Sequence, residues 1–406
     1  MDLRLGESWF AAEAGGRAPV YPALDRDRSC DVVVVGAGIT GALIAHALVG
    51  AGLECVVLDR RQVARGSTAA STSLLQYEID VQLADLGARI GEADAALAYR
   101  LCWESLDELG AIVGGLPDSC GWARRPSLYL AAEPADAGAM PGEAGLRRAL
   151  GIPVEHLVSE AVGERFGIRS HGALLSADSA VVDSFRLTHA LVGEAVRLGA
   201  SVHAGTRVCA HEPHAAPGRA GSAVVRTEAG PVVRARWVVF ATGYEAAALL
   251  REPVVRLTST YALATEPVAA EALWPTRCQI WETARPYFYL RTTEDDRVMI
   301  GGLDEPFASP GARDALIAGK SARLMARLGA MFPALGARMD RAWAGTFGET
   351  EDGLAYIGPS PERPGALFAL CYGGNGMTFA TIAARVVTDT VLGRASRGAH
   401  LFRFGR

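Results

Sequence analysis

The sequence predicts an α/β fold in which a Rossmann-type nucleotide-binding domain is assembled from three segments and carries an inserted β-rich domain. Three observations predict it: a β-branched run followed by glycines at Asp31–Gly41, a second such strand and turn at Trp237–Gly243, and a strand, glycine turn and helix at Leu367–Leu392. Continuous β-branched runs are typical of parallel strands buried on both faces. The expected boundaries are 27–97, 173–250 and 346–406 for the nucleotide-binding domain, and 98–172 and 251–345 for the inserted domain.

Composition and charge exclude several classes of protein. The 406 residues are 50% hydrophobic and 21% charged, and the net charge of −5 is spread without long blocks of one sign. We therefore expect no nucleic-acid partner and no anionic membrane surface. The one long uncharged apolar stretch, 32–49, contains glycines and fits a buried strand plus helix better than a membrane span. The seven cysteines lack CxxC spacing and the histidines lie singly, which favours a reduced, cytoplasmic protein without a metal site.

The first segment carries the most specific local motif. Gly36-x-Gly38-x-x-Gly41 lies between a strand and a helix, and Asp59 ends the next strand. In such a motif the first glycine makes a tight turn, the second lets the backbone approach a pyrophosphate, and the third packs helix on strand. The helix N-terminus receives the phosphate charge, and the acidic side chain binds ribose hydroxyls. We predict a dinucleotide site, with an ordinary packed turn as the alternative.

The middle of the chain alternates helical and strand patterns. Apolar residues recur at helical spacing over Gly91–Leu109, and Asp183 is the expected cap of a helix that runs to Leu198. The stretch Glu133–Gly151 has no strong periodicity, so we expect a surface segment there. A strand is expected at Ser201–Val208, interrupted by Gly205 and by the Pro/Gly-rich segment His214–Gly221. The other expected elements are a hairpin from Ala223 to Ala235, strands at Thr258–Thr265, Tyr287–Arg291 and Val298–Gly301, and a helix at Arg313–Leu328.

Ordered motifs cover nearly the whole chain. They are Glu7–Phe10, Asp31–Gly41, Gly66–Ser71, Trp237–Gly243, Tyr287–Arg291 with Gly301-Gly302, Trp343–Phe347 with Thr350–Gly353 and Ile357-Gly358, and Tyr372–Gly376. In this order they resemble the D-amino-acid oxidase/glycine oxidase/sarcosine oxidase superfamily of flavoproteins, and within it the γ-glutamylputrescine oxidoreductase-like branch. The resemblance implies a GR2-like FAD-binding domain of Rossmann type with a β-rich substrate domain inserted.

The resemblance also implies which residues bind FAD. By this resemblance, the first motif, the strand after it and the next loop bind the adenosine end and the pyrophosphate. The later turns hold the flavin ring. The implied contacts are Gly36, Gly38, Ile39, Thr40, Gly41, Asp59, Arg60, Ser67, Thr68, Ala70, Val208, Ala241, Thr242, Gly243, Gly374, Asn375, Gly376 and Met377. The last four residues of this set form a glycine turn that opens a helix. A flavin ring placed there is physically reasonable, because the N–H groups and the positive end of the helix dipole face the anionic edge of a reduced flavin.

Three departures from the family pattern are informative. Where sarcosine-oxidase-like members attach FAD through a cysteine, this chain has Gly345, so we expect non-covalent FAD. Where glycine-oxidase-like members clamp a substrate carboxylate with arginines, this chain has Phe347 and Gly374. A carboxylate on the reacting carbon therefore loses its usual bidentate partners. The single lysine, Lys320, lies far from every flavin motif in the sequence, and we expect it on the solvated surface.

The substrate side is expected to be aromatic. Candidates are Trp281, Tyr287, Phe288, Tyr289, Phe347 and Tyr372, of which Tyr289 and Phe347 are the first choices. Strand alternation places Tyr287 and Tyr289 on one face, opposite Phe288 and Leu290. The carboxylates that lie near these elements in sequence are Glu78, Asp80 and Glu282, which either hold a distal ammonium or form ordinary structural pairs.

The resulting functional hypothesis is FAD-dependent oxidation of the C–N bond of an amine or amino-acid derivative, by hydride transfer to flavin N5 and hydrolysis of the imine. Oxygen or another acceptor then reoxidises the cofactor. Two alternatives stay open at this point. A related flavoprotein that oxidises a 2-hydroxy acid requires an arginine such as Arg291 or Arg285 to point inward. The second alternative is a non-enzymatic flavin-binding subunit of a larger complex, because a fold does not determine a function.

Overall fold

The computed structural model describes residues 4–6, 8–13, 16–213 and 223–406. Its strands are β1 (Arg4–Leu5), β2 (Arg28–Val35), β3 (Cys55–Leu58), β4 (Leu74–Gln76), β5 (Ala123–Leu130), β6 (Val154–Val158), β7 (Gly172–Val181), β8 (Ser201–His203), β9 (Val208–Pro213), β10 (Ala223–Thr227), β11 (Val232–Phe240), β12 (Arg256–Thr265), β13 (Gln279–Glu282), β14 (Phe288–Thr292), β15 (Val298–Glu305), β16 (Met339–Glu349), β17 (Tyr356–Pro359) and β18 (Ala366–Leu370).

The helices are α1 (Trp9–Glu13), α2 (Ile39–Gly50), α3 (Leu83–Ile90), α4 (Glu92–Gly114), α5 (Pro134–Ala149), α6 (Ser159–Phe166), α7 (Ser184–Arg197), α8 (Pro310–Ala315), α9 (Ile317–Met331) and α10 (Gly376–Val391). Short 3₁₀ turns lie at Ser67–Ala70, Gly243–Ala248, Ala270–Ala272, Pro275–Arg277, Pro333–Leu335 and Ala399–Phe402. None of the helices in the described ranges is long and apolar enough to cross a bilayer.

The first sheet is the predicted nucleotide-binding sheet. Its strands follow the order β17-β18-β11-β2-β3-β8. Off this path, β10 pairs with the first residues of β11, and β9 pairs with β10. The β2, β3, β8, β11 and β18 strands pair in parallel. Along β2, Val32 and Val34 belong to one apolar cluster and Val33 and Val35 to another. Both faces of the strand are therefore buried, which explains its unbroken β-branched run.

The second sheet is mixed and has ten strands. Its order is β1-β16-β12-β15-β14-β13-β5-β7-β4, with β6 paired to β7. The strands β4 and β7 belong to this sheet, although the expected boundaries assign most of their residues to the nucleotide-binding domain. An α/β fold with a Rossmann-type part and a β-rich part is confirmed. The domain boundaries themselves stay a prediction.

Two expectations about single elements are met with a difference in detail. The segment at 133–151 lies at the surface as expected, but residues 134–149 form the regular helix α5, whose Arg147 is completely buried. The strand expected over Ser201–Val208 is interrupted at Gly205 as predicted, and only β8 and the start of β9 form. The predicted helix at Arg313–Leu328 is present but divides at Leu316 into α8 and α9. The polar segment between β9 and β10, which the sequence marked as an interruption, lies outside the described residues.

Candidate functional site

A cavity of about 570 Å³ is lined by residues of both sheets. This volume lies within the range typical of small-molecule and cofactor sites. One part of its wall consists of the glycine turn after β2 and the ends of β3 and β11. Another part consists of side chains from β12 to β16 and from the loop before α10. The ends of parallel strands are where ligands bind in open α/β sheets.

The glycine turn has no room for side chains. A Cβ atom on Gly36 would lie 2.3 Å from the carbonyl oxygen of Ala241, and one on Gly41 would lie 1.8 Å from the carbonyl oxygen of Gly36. The φ angle of Gly36 is +114°, in the region that favours glycine. Two backbone segments therefore pack directly against each other, and the start of α2 is brought to the cavity.

Asp59 lies in the cavity wall at the end of β3. Its Oδ2 accepts a hydrogen bond from the Ala37 N–H at 2.7 Å, and its Oδ1 accepts one from the Arg61 N–H at 2.7 Å. Burial raises the pKa of Asp59, while these two N–H groups oppose the shift. The next two side chains, Arg60 and Arg61, pair with Glu245, which also lines the cavity. Each Asp59 oxygen keeps a further lone pair for a ligand hydroxyl.

Unpartnered polar atoms in the wall fit a cofactor such as FAD. Ser67 Oγ and Thr242 Oγ1 are buried without a hydrogen-bond partner among the described residues, and both residues line the cavity. Buried hydroxyls are normally hydrogen-bonded, so these two call for a ligand. Together with the glycine turn and Asp59, they provide a site for a pyrophosphate and its adjoining groups.

Most of the sequence-predicted cofactor residues are brought together in this wall. Those that line the cavity are Gly36, Gly38, Ile39, Thr40, Asp59, Arg60, Ser67, Thr68, Ala70, Val208, Ala241, Thr242, Gly243, Gly374, Gly376 and Met377. Gly41 packs against the strand behind the turn and does not line it. Asn375 is also behind the wall, where its Nδ2 donates to the carbonyl oxygens of Gln76 at 2.8 Å and Glu78 at 2.9 Å.

Arg291 does not line the cavity, so the structure does not support the inward-pointing anion clamp considered from the sequence. Its Nε donates to the Thr72 carbonyl at 2.5 Å, and another nitrogen donates to the Val182 carbonyl at 3.1 Å. It is completely buried, and this burial lowers its pKa to about 10. Three backbone carbonyls, including that of Thr292, hold the guanidinium in a structural role.

The substrate side of the cavity is aromatic. Tyr287, Tyr289, Trp281 and Phe347 line it, while Phe288 and Leu290 lie in the apolar core. The predicted alternation along β14 is thus confirmed. The other predicted aromatic, Tyr372, lies behind the wall, where it stacks on Tyr244 with ring centroids 5.4 Å apart.

Sequence reasoning missed Tyr244, Thr72 and Cys371, which also line the cavity. The position of Tyr244 directly after the predicted Ala241–Gly243 turn was the available signal. Burial raises the pKa of the Cys371 thiol to about 12. The thiol is therefore protonated near neutral pH.

The carboxylates divide into two groups. Glu282 pairs with Arg327 and accepts a hydrogen bond from the Phe288 N–H, and Glu78 faces Arg147 at 3.9 Å, so both are structural. Asp80 lines the cavity, and its Oδ2 accepts a hydrogen bond from the Gly374 N–H at 2.8 Å.

Asp304 also lines the cavity, although no pattern in the sequence singled it out. Ser259 pairs with Glu305 while Tyr261 pairs with Gly302, so β15 contains one extra residue at this point. The φ angle of Leu303 is +58°. Such a bulge reverses the alternation of side chains, and it turns Asp304 toward the same face as Tyr289.

Lys320 is buried, which corrects the expectation of a solvated surface lysine. Its Nζ donates to the Leu303 carbonyl at 2.6 Å and to Glu305 Oε1 at 2.5 Å, and it lies 5.2 Å from the centroid of the Tyr261 ring. The ammonium therefore stabilises the bulge of β15. It does not line the cavity.

Known proteins resemble this chain over almost its whole length. The family model described as FAD dependent oxidoreductase, DAO, matches residues 31–390. Glycine oxidase of Bacillus licheniformis is 25% identical over 371 residues, which cover 89% of this chain and 93% of that protein. Gamma-glutamylputrescine oxidoreductase of Escherichia coli strain K12 is 25% identical over 427 residues, covering 96% and 90%. The two relatives are equally distant, so these matches define the family and not the branch.

Two further matches complete the comparison. A Bacillus subtilis protein whose name describes a Rieske 2Fe-2S iron-sulfur protein is 32% identical over 116 residues, and the match spans only 23% of that protein. The crystal structure of glycine oxidase from Geobacillus kaustophilus superposes with a TM-score of 0.76 at 20% identity, covering 93% of this chain and 99% of that one. At this identity the superposition establishes the fold.

Proposed function

The chain belongs to the DAO family of FAD-dependent oxidoreductases, and from this premise we propose that it oxidises the C–N bond of an amine that carries no carboxylate on the reacting carbon. The chain is thus an enzyme with FAD as its cofactor, and the proposal concerns its reaction and its substrate class. Within the family, we infer that its reaction is of the kind carried out by amine-oxidising members such as the γ-glutamylputrescine oxidoreductase-like branch.

The distribution of charge around the cavity carries this proposal. Among the described residues, the cations that line the cavity are Arg60, Arg61, Arg207 and Arg363, and all of them follow or precede strands of the nucleotide-binding sheet. The side chains that line the cavity from β12 to β16 are uncharged or acidic. A buried carboxylate without a cationic partner costs several kcal/mol.

The local geometry at Gly374 strengthens this argument. A Cβ atom at this position would lie 2.9 Å from Asp80 Oδ1. The glycine therefore lets an acidic side chain occupy the place where, by resemblance, other members carry an arginine. The local charge is reversed, and it favours a substrate nitrogen over a substrate carboxylate.

The side chains of this wall orient the substrate and exclude water. Tyr287, Tyr289, Trp281 and Phe347 present apolar faces that limit solvent around the reacting carbon. In the proposed reaction the hydrogen on that carbon leaves as hydride, for which bound FAD would supply the acceptor at N5. The resulting iminium ion loses its N–H proton to water, and water hydrolyses the imine to a carbonyl compound and ammonia or an amine. Oxygen or another acceptor restores the oxidised cofactor.

The test is anaerobic bleaching of the bound flavin by a panel of compounds. We expect primary or secondary amines to bleach it faster than glycine, sarcosine or D-alanine, by at least about tenfold. If a small amino acid or a 2-hydroxy acid bleaches it fastest, the proposed substrate class is wrong. A yellow protein that no compound bleaches would instead favour a flavin-binding subunit of a larger complex.

A further inference from the structure

Among the acidic side chains discussed above that line the cavity, Asp304 is the one with a buried oxygen, Oδ1, that lacks a hydrogen-bond partner in the described part of the chain. The other contact of its carboxylate is the neutral Thr260 hydroxyl. Glu78 and Glu282 face arginines, and Asp80 accepts a backbone N–H. The nearby cation, Lys320, is already bound by Glu305 and by a backbone carbonyl. Asp304 thus directs negative charge into the cavity.

The surroundings of Asp304 suit a cation. Tyr287 and Tyr289 line the same cavity, and the charge of Asp304 contributes to the raised pKa values of both phenols. Aromatic faces attract ammonium groups. Burial, aided by the charges of Glu349 and Asp80 and opposed by the Thr260 hydroxyl and Lys320, raises the pKa of Asp304 to about 6. Near pH 7.5 the group is therefore ionised, and no bound partner neutralises it.

We propose that Asp304 binds a second, non-reacting ammonium group of the substrate, so that the preferred substrates are diamines or longer amines with a second cationic nitrogen. This inference rests on the proposed amine oxidation and extends it to the far end of the substrate. The reacting nitrogen is the less suitable partner for Asp304. Hydride leaves only from the neutral amine, and an ion pair with a carboxylate would hold that nitrogen in its charged form.

The experiment compares matched substrates on the flavin-loaded enzyme. Diamines of three to six carbons are compared with n-alkylamines of the same lengths in anaerobic stopped-flow reduction of the flavin. We expect the best diamine to exceed its alkylamine in kcat/KM by about ten- to a hundredfold, as for a charge-assisted hydrogen bond. Equal rates for diamines and alkylamines at every length overturn the inference with the wild-type protein alone.

Variants then assign the effect to Asp304. Asp304→Asn is expected to reduce the diamine-to-alkylamine ratio to within about threefold of unity, since it removes the charge and keeps the shape. Asp340→Asn is the matched control, because it removes the same charge from β16 of the same sheet, at a residue that pairs with Arg297 and does not line the cavity. The ratio of this control should equal that of the wild type. A ratio that survives Asp304→Asn overturns the assignment.

A binding measurement separates this inference from the proposed reaction. tert-Butylammonium has no hydrogen on the carbon that bears its nitrogen, so it cannot be oxidised in this way. We expect calorimetry on the flavin-loaded enzyme to show that Asp304→Asn weakens its binding by about tenfold or more. If this loss is found but no amine bleaches the flavin, the cation site stands and the proposed reaction fails. If amines bleach the flavin but the loss is not found, the cation site fails alone.

Discussion

At the scale of single residues, the position of Tyr289 depends on a glycine opposite it. Tyr289 and Gly301 are direct partners across β14 and β15. A Cβ atom on Gly301 would lie 2.1 Å from the phenol oxygen and 2.2 Å from the adjoining ring carbon. The Tyr289 ring therefore lies across the backbone of the neighbouring strand. Any side chain at position 301 would displace the ring from this position.

We predict that Gly301→Ala slows flavin reduction by about a hundredfold, because a displacement near 1 Å in a positioning group has an effect of this size. The dissociation constant for FAD should stay within about threefold of the wild-type value, since the change is confined to the substrate wall. Stopped-flow reduction and a fluorescence titration with FAD measure the two quantities. Gly311→Ala is the matched control, because a Cβ atom there meets nothing within 4 Å. Normal reduction by Gly301→Ala would show that Tyr289 does not position the substrate.

The carboxylate of Asp304, whose Oδ1 has no hydrogen-bond partner among the described residues, also affects stability. Its folded-state pKa of about 6 exceeds the usual value near 3.8. A raised acidic pKa means that the folded state holds its proton more tightly than the unfolded state. The associated stability is present below pH 4 and is lost as the pH rises through 6.

We therefore predict that Asp304→Asn unfolds at a higher urea concentration than the wild type at pH 7.5. The expected gain is about 1–2 kcal/mol, allowing for partial exposure of the side chain. Near pH 4 the two proteins should be equally stable, because the wild-type side chain is then neutral. Both proteins are measured with saturating FAD. A variant that is less stable at pH 7.5 would mean that the carboxylate has a stabilising partner.

At the scale of elements, α5 supports the start of α3 through a buried charge network. Glu143 accepts hydrogen bonds from the N–H groups of Leu83 at 2.9 Å and Ala84 at 3.1 Å, which lie in the first turn of α3. Arg147 holds Glu143 at 2.8 Å and the Gln82 side chain at 2.6 Å. The first N–H groups of a helix have no partner within the helix, so the side chain of one helix here completes the end of another.

We predict that Arg147→Ala destabilises the protein by about 3–5 kcal/mol, because it leaves the buried carboxylates of Glu78 and Glu143 without their cation. Urea unfolding followed by circular dichroism measures this loss. Arg165→Ala is the control: its pair with Glu155 is exposed on both sides, and its loss should cost less than about 1 kcal/mol. Equal losses in the two variants would mean that the network adds no more than a surface pair.

The same elements show what the sequence can and cannot predict. β2 and α7 were predictable because a β-branched run and an Asp183 cap are local signals, and the structure contains both. α5 was not predictable, since its glycines and the internal Pro141 weaken the helical pattern and its buried face is formed by Arg147 and Glu143. The place of Asp304 was not predictable either, because the bulge at Leu303 depends on pairing with a strand about forty residues earlier.

At the scale of the whole molecule, the cofactor is expected to be held by the two sheets without a covalent bond. Gly345 lines the cavity. By resemblance, it occupies the position at which sarcosine-oxidase-like members carry the cysteine that links FAD. The cysteines that do line it are Cys209 and Cys371. At Cys371 the pKa of about 12 leaves almost no thiolate to attack a flavin.

We predict that acid precipitation of the yellow protein releases all of its flavin into the supernatant. Absorbance at the flavin maximum, measured in the supernatant and in the washed pellet, tests this. Cys371→Ser and Cys209→Ser should behave in the same way. Flavin retained in the pellet of the wild type but released from one of these variants would identify a covalent link and contradict the prediction.

The strand order of the nucleotide-binding sheet also has a consequence for how the chain is made. β2 lies between β3 and β11, and β11 ends about 205 residues after β2. At a synthesis rate of about 5–20 residues per second, β2 waits roughly 10 to 40 seconds for this second partner. During that time an apolar strand is available for wrong pairing, as is usual for sheets with distant partners. Slower translation would prolong this exposure, whereas a chaperone that covers β2 on the ribosome would raise the yield of folded enzyme.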